Sequence, residues 1–339
     1  MVSMKDIAAA CGVSVATVSK ALNDHTDVSE VTKKNVRSCA REMGYYPNSV
    51  ARALKTNKTY NIGVLFAEGQ RSGLTHDFFA HVLDSFKRAV EEKGYDITFL
   101  NCNKSRPNPM SYLEHSKYRG FDGIVAACVN FEDPNVQQLL CSDLPMVVID
   151  CECEGKTCIL SDNEAGIGQL MDLAHDLGHK RIAYVTGRDY ALTQKRVGRY
   201  KEKLREFGIP IREEYIITSE YRDIERTAAA TQRLLALPEI PTCILFPDDY
   251  AAYGGINAIG SKGMKIPKDL SVAGYDGISL ASQIRPRLTT IRQDTERIGA
   301  CAAQKLIDII EKTNAAEPET ILIPVELVKG ETLAKNPET

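Results

Sequence analysis

The chain has 339 residues and a formal charge of −3 at pH 7, and this length accommodates a small domain together with one or two larger ones. No stretch approaches the ~20 consecutive apolar residues that a membrane-spanning helix needs, and no export segment precedes Met4, so we exclude the membrane and secreted classes and expect a cytoplasmic protein. The charge is uneven, since residues 1–60 carry nine Lys and Arg against five Asp and Glu, and the remainder carries 33 against 40.

The first 23 residues predict two short helices joined by a tight turn. Ile7 and Cys11 recur at helical spacing, and Gly12 ends that first helix. Ser14 is placed to cap a second helix over 15–22. Two helices joined in this way form a helix-turn-helix, whose second helix can enter the major groove of DNA.

The second helix has an outer side that suits DNA. Its Val18 and Ala21 are expected to pack against the first helix. The small apolar pair Val15 and Ala16 suits base edges and thymine methyl groups, and Lys20 can reach a guanine or a phosphate. Short polar residues that suit phosphate oxygens are Ser14, Thr17, Ser19 and Asn23. On spacing alone, an ordinary helical hairpin with a solvated outer side is an equal alternative.

A third helix and a short helical segment follow. Ser29 is placed to cap a helix that runs to about Met43, and the apolar stripe of this helix can complete a three-helix core. The segment from Pro47 to Lys55 is too short to be stable by itself in water, so we expect it to be ordered when a partner holds it. Leu54 has no evident core to fill, and it could also be a linker residue that rests on the large domain.

These motifs resemble the LacI/GalR family of bacterial repressors. The matching segments are Lys5-Asp6-Ile7-Ala8, Gly12-Val13-Ser14, Thr17-Val18-Ser19, Leu22-Asn23, Gly178-His179-Lys180-Arg181 and Ile266 to Asp276. The resemblance implies that Val15, Ala16 and Lys20 read bases. It also implies that a hinge helix around Leu54 pairs with its twofold mate over the minor groove, where the leucine wedges into the central base step. The DNA-binding residues predicted in this way are Ser14, Val15, Ala16, Thr17, Ser19, Lys20, Asn23, Val50, Ala51, Leu54 and Lys55.

From residue 61 onward, short apolar runs alternate with helical patterns. The runs typical of buried parallel strands lie at 62–66, 97–100, 123–126, 146–149, 182–185, 215–217, 243–246 and 271–274. This alternation predicts doubly wound parallel sheets in two lobes with a cleft between them, and ligands bind such sheets at the carboxyl ends of the strands.

The predicted fold is a small all-α helix-turn-helix head followed by a two-lobed α/β effector domain. The resemblance implies a periplasmic-binding-protein-like fold, in which helix 293–312 returns to the first lobe and strand 321–323 to the second. The predicted boundaries are 1–46 for the DNA-binding head, 47–60 for the hinge helix and linker, and 61–339 for the effector-binding and dimerisation domain. Within that domain, lobe 1 is expected at about 61–161 plus 292–319, and lobe 2 at about 162–291 plus 320–339.

Loops after the predicted strands carry candidates for a small-molecule site. These candidates are Asp150, Arg196, Tyr221, Asp248 and Asp276. Carboxylates and a guanidinium bind hydroxyl pairs, and a flat ring packs on the apolar face of a sugar or a base. Each Asp has an alternative role as the cap of the next helix, and we interpret Asp249 in that way.

The resemblance assigns more definite roles to several of these residues. It places Arg196 and Asp276 at effector-binding positions, and Asp248 beside them. Tyr221 falls where a stacking aromatic residue is frequent, and Phe79 resembles a first-lobe aromatic that closes over the ligand. The loop 68–75 is longer than is usual in the family, so the choice of effector by analogy stays open.

The ten cysteines are expected to be reduced thiols. Cys151, Cys153 and Cys158 form one tight cluster, but their spacing does not match zinc-ligand pairs, so we interpret them as loop thiols. The sequence lacks a phosphate-binding glycine loop, a Gly-x-Ser-x-Gly elbow and a histidine pair with metal-helix spacing. We therefore expect no enzyme, no cofactor and no metal site.

The sequence as a whole predicts a transcriptional repressor. We expect a homodimer that reads a pseudo-palindromic operator with one head per half-site. A small molecule, expected to be a sugar, would bind in the cleft and change operator affinity through one conformational equilibrium, as an inducer or as a co-repressor. The alternatives are a soluble sugar-binding module without a DNA function and a sugar-converting enzyme.

Overall fold

The computed structural model describes residues 2–46, 53, 58–67, 73–101, 109–313 and 317–336. The chain forms two compact units, residues 1–59 and 60–339. In the described residues, no helix is both long enough and apolar enough to cross a membrane.

The described part of the first unit forms three helices, α1 (Met4–Cys11), α2 (Val15–Leu22) and α3 (Glu30–Glu42). Their shared core contains the fully buried side chains of Ile7, Val18, Ala21 and Val36. Because the three helices bury one common apolar side, the unit has a core of its own. The predicted helix-turn-helix and its third helix are confirmed.

Local sequence signals determine where these helices begin and end. Gly12 adopts a left-handed φ of 64°, a conformation that favours glycine and ends α1. Ser14 Oγ accepts a hydrogen bond from Thr17 N (3.0 Å) and so caps α2. Ser29 Oγ caps α3 in the same way by accepting from Thr32 N (3.2 Å).

The first lobe of the second unit is built on a parallel sheet, in which the described residues supply six strands. Its strands are β1 (Asn61–Ala67), β2 (Asp96–Phe99), β3 (Gly123–Val129), β4 (Met146–Ile149), β5 (Thr157–Ser161) and β11 (Thr320–Ile323), in the order β11-β5-β4-β3-β1-β2. The helices of this lobe are α4 (Asp77–Glu92), α5 (Tyr112–Arg119), α6 (Pro134–Leu140) and α12 (Thr295–Glu311). A short 3-10 helix, Gly73–Thr75, precedes α4.

The second lobe is built on a four-stranded parallel sheet. Its strands are β6 (Ile182–Thr186), β7 (Ile216–Thr218), β8 (Cys243–Leu245) and β9 (Ser271–Ala273), in the order β7-β6-β8-β9. The helices that belong to it are α7 (Asn163–Asp176), α8 (Ala191–Glu206), α9 (Ile224–Leu235), α10 (Asp249–Ser261) and α11 (Ser279–Gln283). A separate antiparallel pair joins β10 (Thr290–Gln293) to β12 (Val325–Val328). The predicted alternation of strands and helices in two lobes is confirmed.

The prediction that strand 321–323 joins the second lobe is wrong. β11 pairs in parallel with β5 at the edge of the first sheet, with Ile321 opposite Ile159. The chain crosses to the other lobe one residue later, at Pro324, and continues there as β12. Proline lacks a backbone N–H and cannot continue a strand ladder, so two short strands stand where the sequence suggested one.

Strand β5 is a feature that the sequence analysis missed. All five of its residues are buried, although Thr157 and Ser161 at its ends are polar. Cys158 lies in this strand and is fully buried, so its interpretation as a loop thiol is wrong. The strand is short and follows a polar loop, and this context hides its buried position.

Helix α12 returns to the first lobe, as predicted. Its Ile298, Ala302 and Leu306 belong to the same buried core as Val82 and Phe86 of α4. Ser85 Oγ of α4 also donates a hydrogen bond to Glu296 O (2.6 Å) at the start of α12. The first lobe is therefore assembled from two segments far apart in sequence.

Candidate functional site

The outer side of α2 is the candidate DNA-contacting surface. Val15 is 41% exposed, Ala16 and Lys20 are also exposed, and Val18 is fully buried on the opposite side. The predicted inner and outer sides of α2 are confirmed. Lys20 forms an ion pair with Asp27 in the loop after α2. A base or a phosphate would therefore have to compete with this carboxylate for the ammonium group.

The short polar residues of this surface take part in local hydrogen bonds. Ser14 Oγ lies 2.8 Å from Thr17 Oγ1 in addition to its capping bond. Asn23 Nδ2 donates to Ser19 O (2.7 Å). Their contacts with DNA stay predictions. The predicted hinge residues Val50, Ala51, Leu54 and Lys55 lie outside the described residues.

In the second unit, loops at the carboxyl ends of strands bring several predicted polar residues together. Asp150 follows β4 of the first lobe, whereas Asp248 and Asp276 follow β8 and β9 of the second lobe. Arg196 lies on α8. Burial raises the pKa of all three carboxyl groups, and the guanidinium of Arg196 acts on each of them in the opposite direction. One buried cation therefore interacts with three carboxyl groups.

Arg196 is held in place by three contacts. Its Nε donates to Asn163 Oδ1 (2.8 Å), and its Nη1 donates to Pro247 O (2.9 Å). The guanidinium carbon lies 3.7 Å from the centroid of the Tyr275 ring, and the residue is 2% exposed. Stacking on a ring and two directed hydrogen bonds fix the orientation of the guanidinium. The sequence analysis missed these partners, although Tyr275 stands directly before the predicted Asp276.

Asp276 and Asp150 both adopt a left-handed backbone, with φ of 100° and 66°. Such values are uncommon for residues other than glycine and occur frequently at binding sites. Asp276 Oδ1 accepts a hydrogen bond from Gln293 Nε2 (2.7 Å). Burial raises the pKa of Asp150 to about 6, and burial together with the neighbouring Asp248 raises the pKa of Asp276 to about 8.

The structure corrects the interpretation of Asp249 as a helix cap. Asp248 is the residue that caps α10, because its Oδ1 accepts from Ala251 N (2.8 Å). Its Oδ2 accepts from Arg222 N (2.7 Å). Asp249 is fully buried in the first turn of α10 and accepts from Thr290 Oγ1 (2.6 Å). With two consecutive Asp residues after a strand, the first has the non-helical backbone that a cap requires.

The two predicted aromatic residues are both fixed by packing. The hydroxyl oxygen of Tyr221 lies 2.9 Å from Thr193 Oγ1, and its ring lies so close to Gly187 that an added Cβ would come within 2.0 Å of it. Phe79 is buried in the first lobe, with ring centroids 5.9 Å from Phe66 and 4.8 Å from His76. The contact of either ring with a ligand stays a prediction.

Polar contacts connect the two lobes within the second unit. Arg222 Nη2 donates to Thr75 O (3.3 Å), Tyr250 Oη donates to Asp77 Oδ2 (2.7 Å), and Lys195 Nζ donates to Glu152 Oε1 (2.6 Å). Each contact joins a residue at the start of α4, just before α4 or after β4 to a residue on or near α8 to α10. A ligand that changes the arrangement of the lobes would therefore act on these contacts.

We expect the Asp276→Asn variant to respond to pH differently from the unchanged protein. Burial raises the pKa of Asp276 to about 8, above its value in an unfolded chain, so the folded protein binds this proton more tightly and is favoured at low pH. That contribution is present at about pH 4 and is lost as the pH rises toward 8. The unchanged protein should lose up to about 1.4 kcal/mol per pH unit relative to the variant in this window.

Urea unfolding at several pH values measures this difference. Asp143→Asn changes an exposed carboxyl group in the first lobe and is the matched control. Parallel pH profiles for the unchanged protein and Asp276→Asn would contradict the prediction.

Comparisons with known proteins agree with this organisation. Residues 3–48 match the family model described as bacterial regulatory proteins, lacI family, and residues 171–333 match the periplasmic binding protein-like domain. The probable HTH-type transcriptional repressor ExuR of Bacillus subtilis (strain 168) is 33% identical over 346 residues, which cover 100% of this chain and 96% of the relative.

Two solved structures share the fold. The lac repressor dimer bound to operator and the anti-inducer ONPF superimposes with a TM-score of 0.83 at 23% identity, covering 98% of this chain and 99% of that one. The transcriptional regulator CelR–cellobiose complex has a TM-score of 0.70 at 24% identity, covering 98% of this chain and 100% of that one.

Proposed function

The chain belongs to the LacI family of bacterial transcriptional repressors, and from this premise we propose that a sugar bound between its two lobes sets its affinity for operator DNA. The observation that carries the proposal is the buried Arg196 among Asp150, Asp248 and Asp276. Such a set of groups has to find polar partners once water is displaced.

The balance of donors and acceptors favours an uncharged, hydroxyl-rich ligand. A hydroxyl group can donate to a carboxylate and accept from a guanidinium. Gln293 Oε1, beside Asp276, is buried and has no hydrogen-bond partner among the described residues, so it adds a further acceptor. An anionic ligand would meet Asp150 and Asp248 as well as the guanidinium, so its binding would require protonation beyond that of Asp276, whose pKa is already about 8. The CelR–cellobiose complex shows that this fold can hold a sugar.

The head supplies the DNA-binding part of the proposal. We propose a homodimer that reads a pseudo-palindromic operator in the cytoplasm, with one α2 in the major groove of each half-site. Val15, Ala16 and Lys20 are the proposed base contacts, and their exposure on one side of α2 supports this. The lac repressor structure, which is a dimer on its operator, is consistent with this arrangement.

Ligand and DNA would be coupled through the arrangement of the lobes. A sugar held by Arg196 of the second lobe and Asp150 of the first would favour the lobe arrangement in which both can bind it. Inter-lobe contacts such as Tyr250 with Asp77 would change with that arrangement. The effector could act as an inducer or as a co-repressor, because linkage allows either sign.

Selection from a random pool of DNA duplexes tests the DNA function. The purified full-length protein is expected to enrich a pseudo-palindromic sequence, and the enriched duplex then serves as the probe for titrations. A panel of sugars, sugar phosphates and nucleobases is screened by thermal shift, because a ligand of the folded cleft raises the melting temperature. Failure to enrich any sequence, together with a clear sugar response, would instead favour a soluble sugar-binding module.

We expect Leu54→Ala to leave folding intact and to weaken binding to the enriched duplex at least tenfold. The resemblance assigns this leucine a wedge role in the minor groove, where an apolar side chain kinks the duplex. Binding to a random duplex should change little, because that binding depends mainly on phosphate contacts. Fluorescence anisotropy with both duplexes measures the two affinities. If the variant and the unchanged protein bind the enriched duplex equally well, Leu54 does not act as a wedge in the minor groove.

A further inference from the structure

Three thiols form a cluster beside the proposed effector site, and the proposed function does not use them. Cys151 directly follows Asp150, Cys153 lies in the same loop, and Cys158 lies in β5. Cys158 Sγ accepts a hydrogen bond from Cys153 N (3.2 Å) and donates to Cys153 O (3.7 Å). The loop after β4 is thereby folded back on β5 with its thiols together.

All three thiols belong to one cluster, because Cys158 is part of a buried core of the first lobe and Cys151 and Cys153 pack against that core. Cys151 Sγ donates a hydrogen bond to Glu152 O (3.6 Å). Interaction with Cys153 lowers the pKa of Cys151, and interaction with Cys151 raises the pKa of Cys153 to about 11. The thiol of Cys158 donates to Cys153, and this raises the pKa of Cys158. Cys151 is half-buried, whereas Cys158 is fully buried. The thiolate therefore forms most readily at Cys151, which solvent can reach, and thiolates are the form that peroxides oxidise.

We propose that Cys151 and Cys153 form a peroxide-sensitive dithiol, which closes to a disulfide at the edge of the effector site. The Cys151 thiolate attacks one oxygen of hydrogen peroxide, breaks the O–O bond and becomes a sulfenic acid. The other oxygen leaves as hydroxide and takes a proton from solvent. The sulfur of Cys153 then displaces the oxygen from Cys151, and the thiol proton leaves with that oxygen as a second water. Two thiols are oxidised, and one peroxide is reduced to two waters.

The spacing of the two cysteines permits this bond. Residues two positions apart have Cα atoms within about 7 Å, which is close to the usual range for disulfides. A ring this small is strained, and strained disulfides are the reducible ones found in regulatory and catalytic roles. Dithiothreitol is therefore expected to reopen the disulfide.

The dithiol loop is tied to the second lobe by Glu152, the residue between the two cysteines. Glu152 Oε1 accepts a hydrogen bond from Lys195 Nζ (2.6 Å) on α8, directly before Arg196. Closing the ring changes the backbone on both sides of Glu152. Oxidation would thus alter the contact of Lys195 with Glu152 between the lobes. It would also change the backbone directly after Asp150.

Disulfide mapping of the full-length protein tests the proposal. Reduced protein is treated with hydrogen peroxide, the remaining thiols are alkylated with iodoacetamide, and the protein is digested with trypsin without reduction. Cys151 and Cys153 lie in tryptic peptide 120–156 together with Cys128 and Cys141, whereas Cys158 lies in the next peptide, because Lys156 separates them. Additional cleavage before Asp150 with the protease Asp-N leaves Cys151 and Cys153 as the two cysteines of residues 150–156. The expected product is therefore an internal disulfide in one peptide, which dithiothreitol removes. A cross-linked pair of peptides joined through Cys158 would overturn the assignment, and so would Cys151 alkylated as fully after peroxide as before it.

Variants assign the order of events. In Cys153→Ser, Cys151 is expected to stop at the sulfenic acid, which dimedone traps, and in Cys151→Ser the internal disulfide should fall at least tenfold. Cys141→Ser removes an exposed thiol of the same lobe and should leave the reaction unchanged. Loss of the disulfide in Cys141→Ser, or its persistence in Cys151→Ser, would contradict the mechanism.

The tie to the second lobe is tested in the same assay. Lys195→Met frees Glu152, so we expect the loop to close at least twofold faster. Lys201→Met, on the same helix, removes an ion pair with Glu213 instead (2.9 Å) and should have no effect on the rate. Equal rates of disulfide formation in Lys195→Met and Lys201→Met would show that the contact of Lys195 with Glu152 does not restrain the loop. None of these measurements uses DNA or a sugar, so their failure is distinguishable from failure of the proposed function.

Discussion

Replacement of Arg196 by methionine is expected to abolish the effector response and to lower the free energy of unfolding by about 3–5 kcal/mol. The guanidinium is buried and acts on Asp150, Asp248 and Asp276. Without it, three buried carboxyl groups lose the cation that offsets their burial, and the pKa of each rises further. The hydrogen bonds to Asn163 and Pro247 are lost as well.

The comparison that isolates this effect is Arg199→Met on the same helix. Arg199 pairs with Glu202 and Glu206 at the surface, and exposed ion pairs contribute about 1 kcal/mol or less. Urea unfolding should therefore separate the two variants by more than 2 kcal/mol, and thermal shift with the sugar that acts on the unchanged protein should detect binding to Arg199→Met alone. A similar small loss for both variants would show that the buried guanidinium is not the centre of the site.

Asp276→Asn separates loss of binding from loss of stability. The amide keeps the shape of the side chain and removes a carboxyl group that is costly to bury, so the fold should tolerate it. We expect this variant to bind the enriched duplex as the unchanged protein does, but to lose the sugar response. An unchanged sugar response at the same concentration would remove Asp276 from the effector site.

The sequence predicts best those features that depend on neighbouring residues. Ser14, Ser29 and Gly12 determine the ends of their helices through contacts within a few residues, so the head could be predicted from local signals. Apolar runs identified the central strands for the same reason. Residues placed after those strands, such as Asp150 and Asp276, could then be expected at one edge of the sheets.

The features that the sequence did not reveal depend on contacts between distant segments. Strand β11 is assigned to its lobe by pairing with β5, 162 positions earlier at Thr320 and Cys158. Asn163 and Tyr275 become partners of Arg196 only after three segments of the second lobe have packed. Two adjacent Asp residues differ in role because one has a non-helical backbone, and composition does not distinguish them.

Gly299→Ala is expected to lower the free energy of unfolding by about 3 kcal/mol, at the upper end of the usual cost of overpacking. Gly299 lies where α12 packs on α4, and an added Cβ would come within 2.3 Å of Val82 O and 2.6 Å of Phe86 N. These are backbone atoms, so a rotamer change cannot relieve the overlap and the two helices must separate.

The matched control is Gly198→Ala on α8, where an added Cβ meets nothing within 4 Å. Alanine favours a helix over glycine, so this variant should gain about 0.5–1 kcal/mol. Gly299→Ala receives the same helix preference, and the difference between the two variants measures the overlap alone. Because α4 begins at Asp77, which accepts a hydrogen bond from Tyr250 of the second lobe, a displaced α4 should also weaken the sugar response. Equal stability of the two variants in urea would mean that α12 and α4 are not in backbone contact at Gly299.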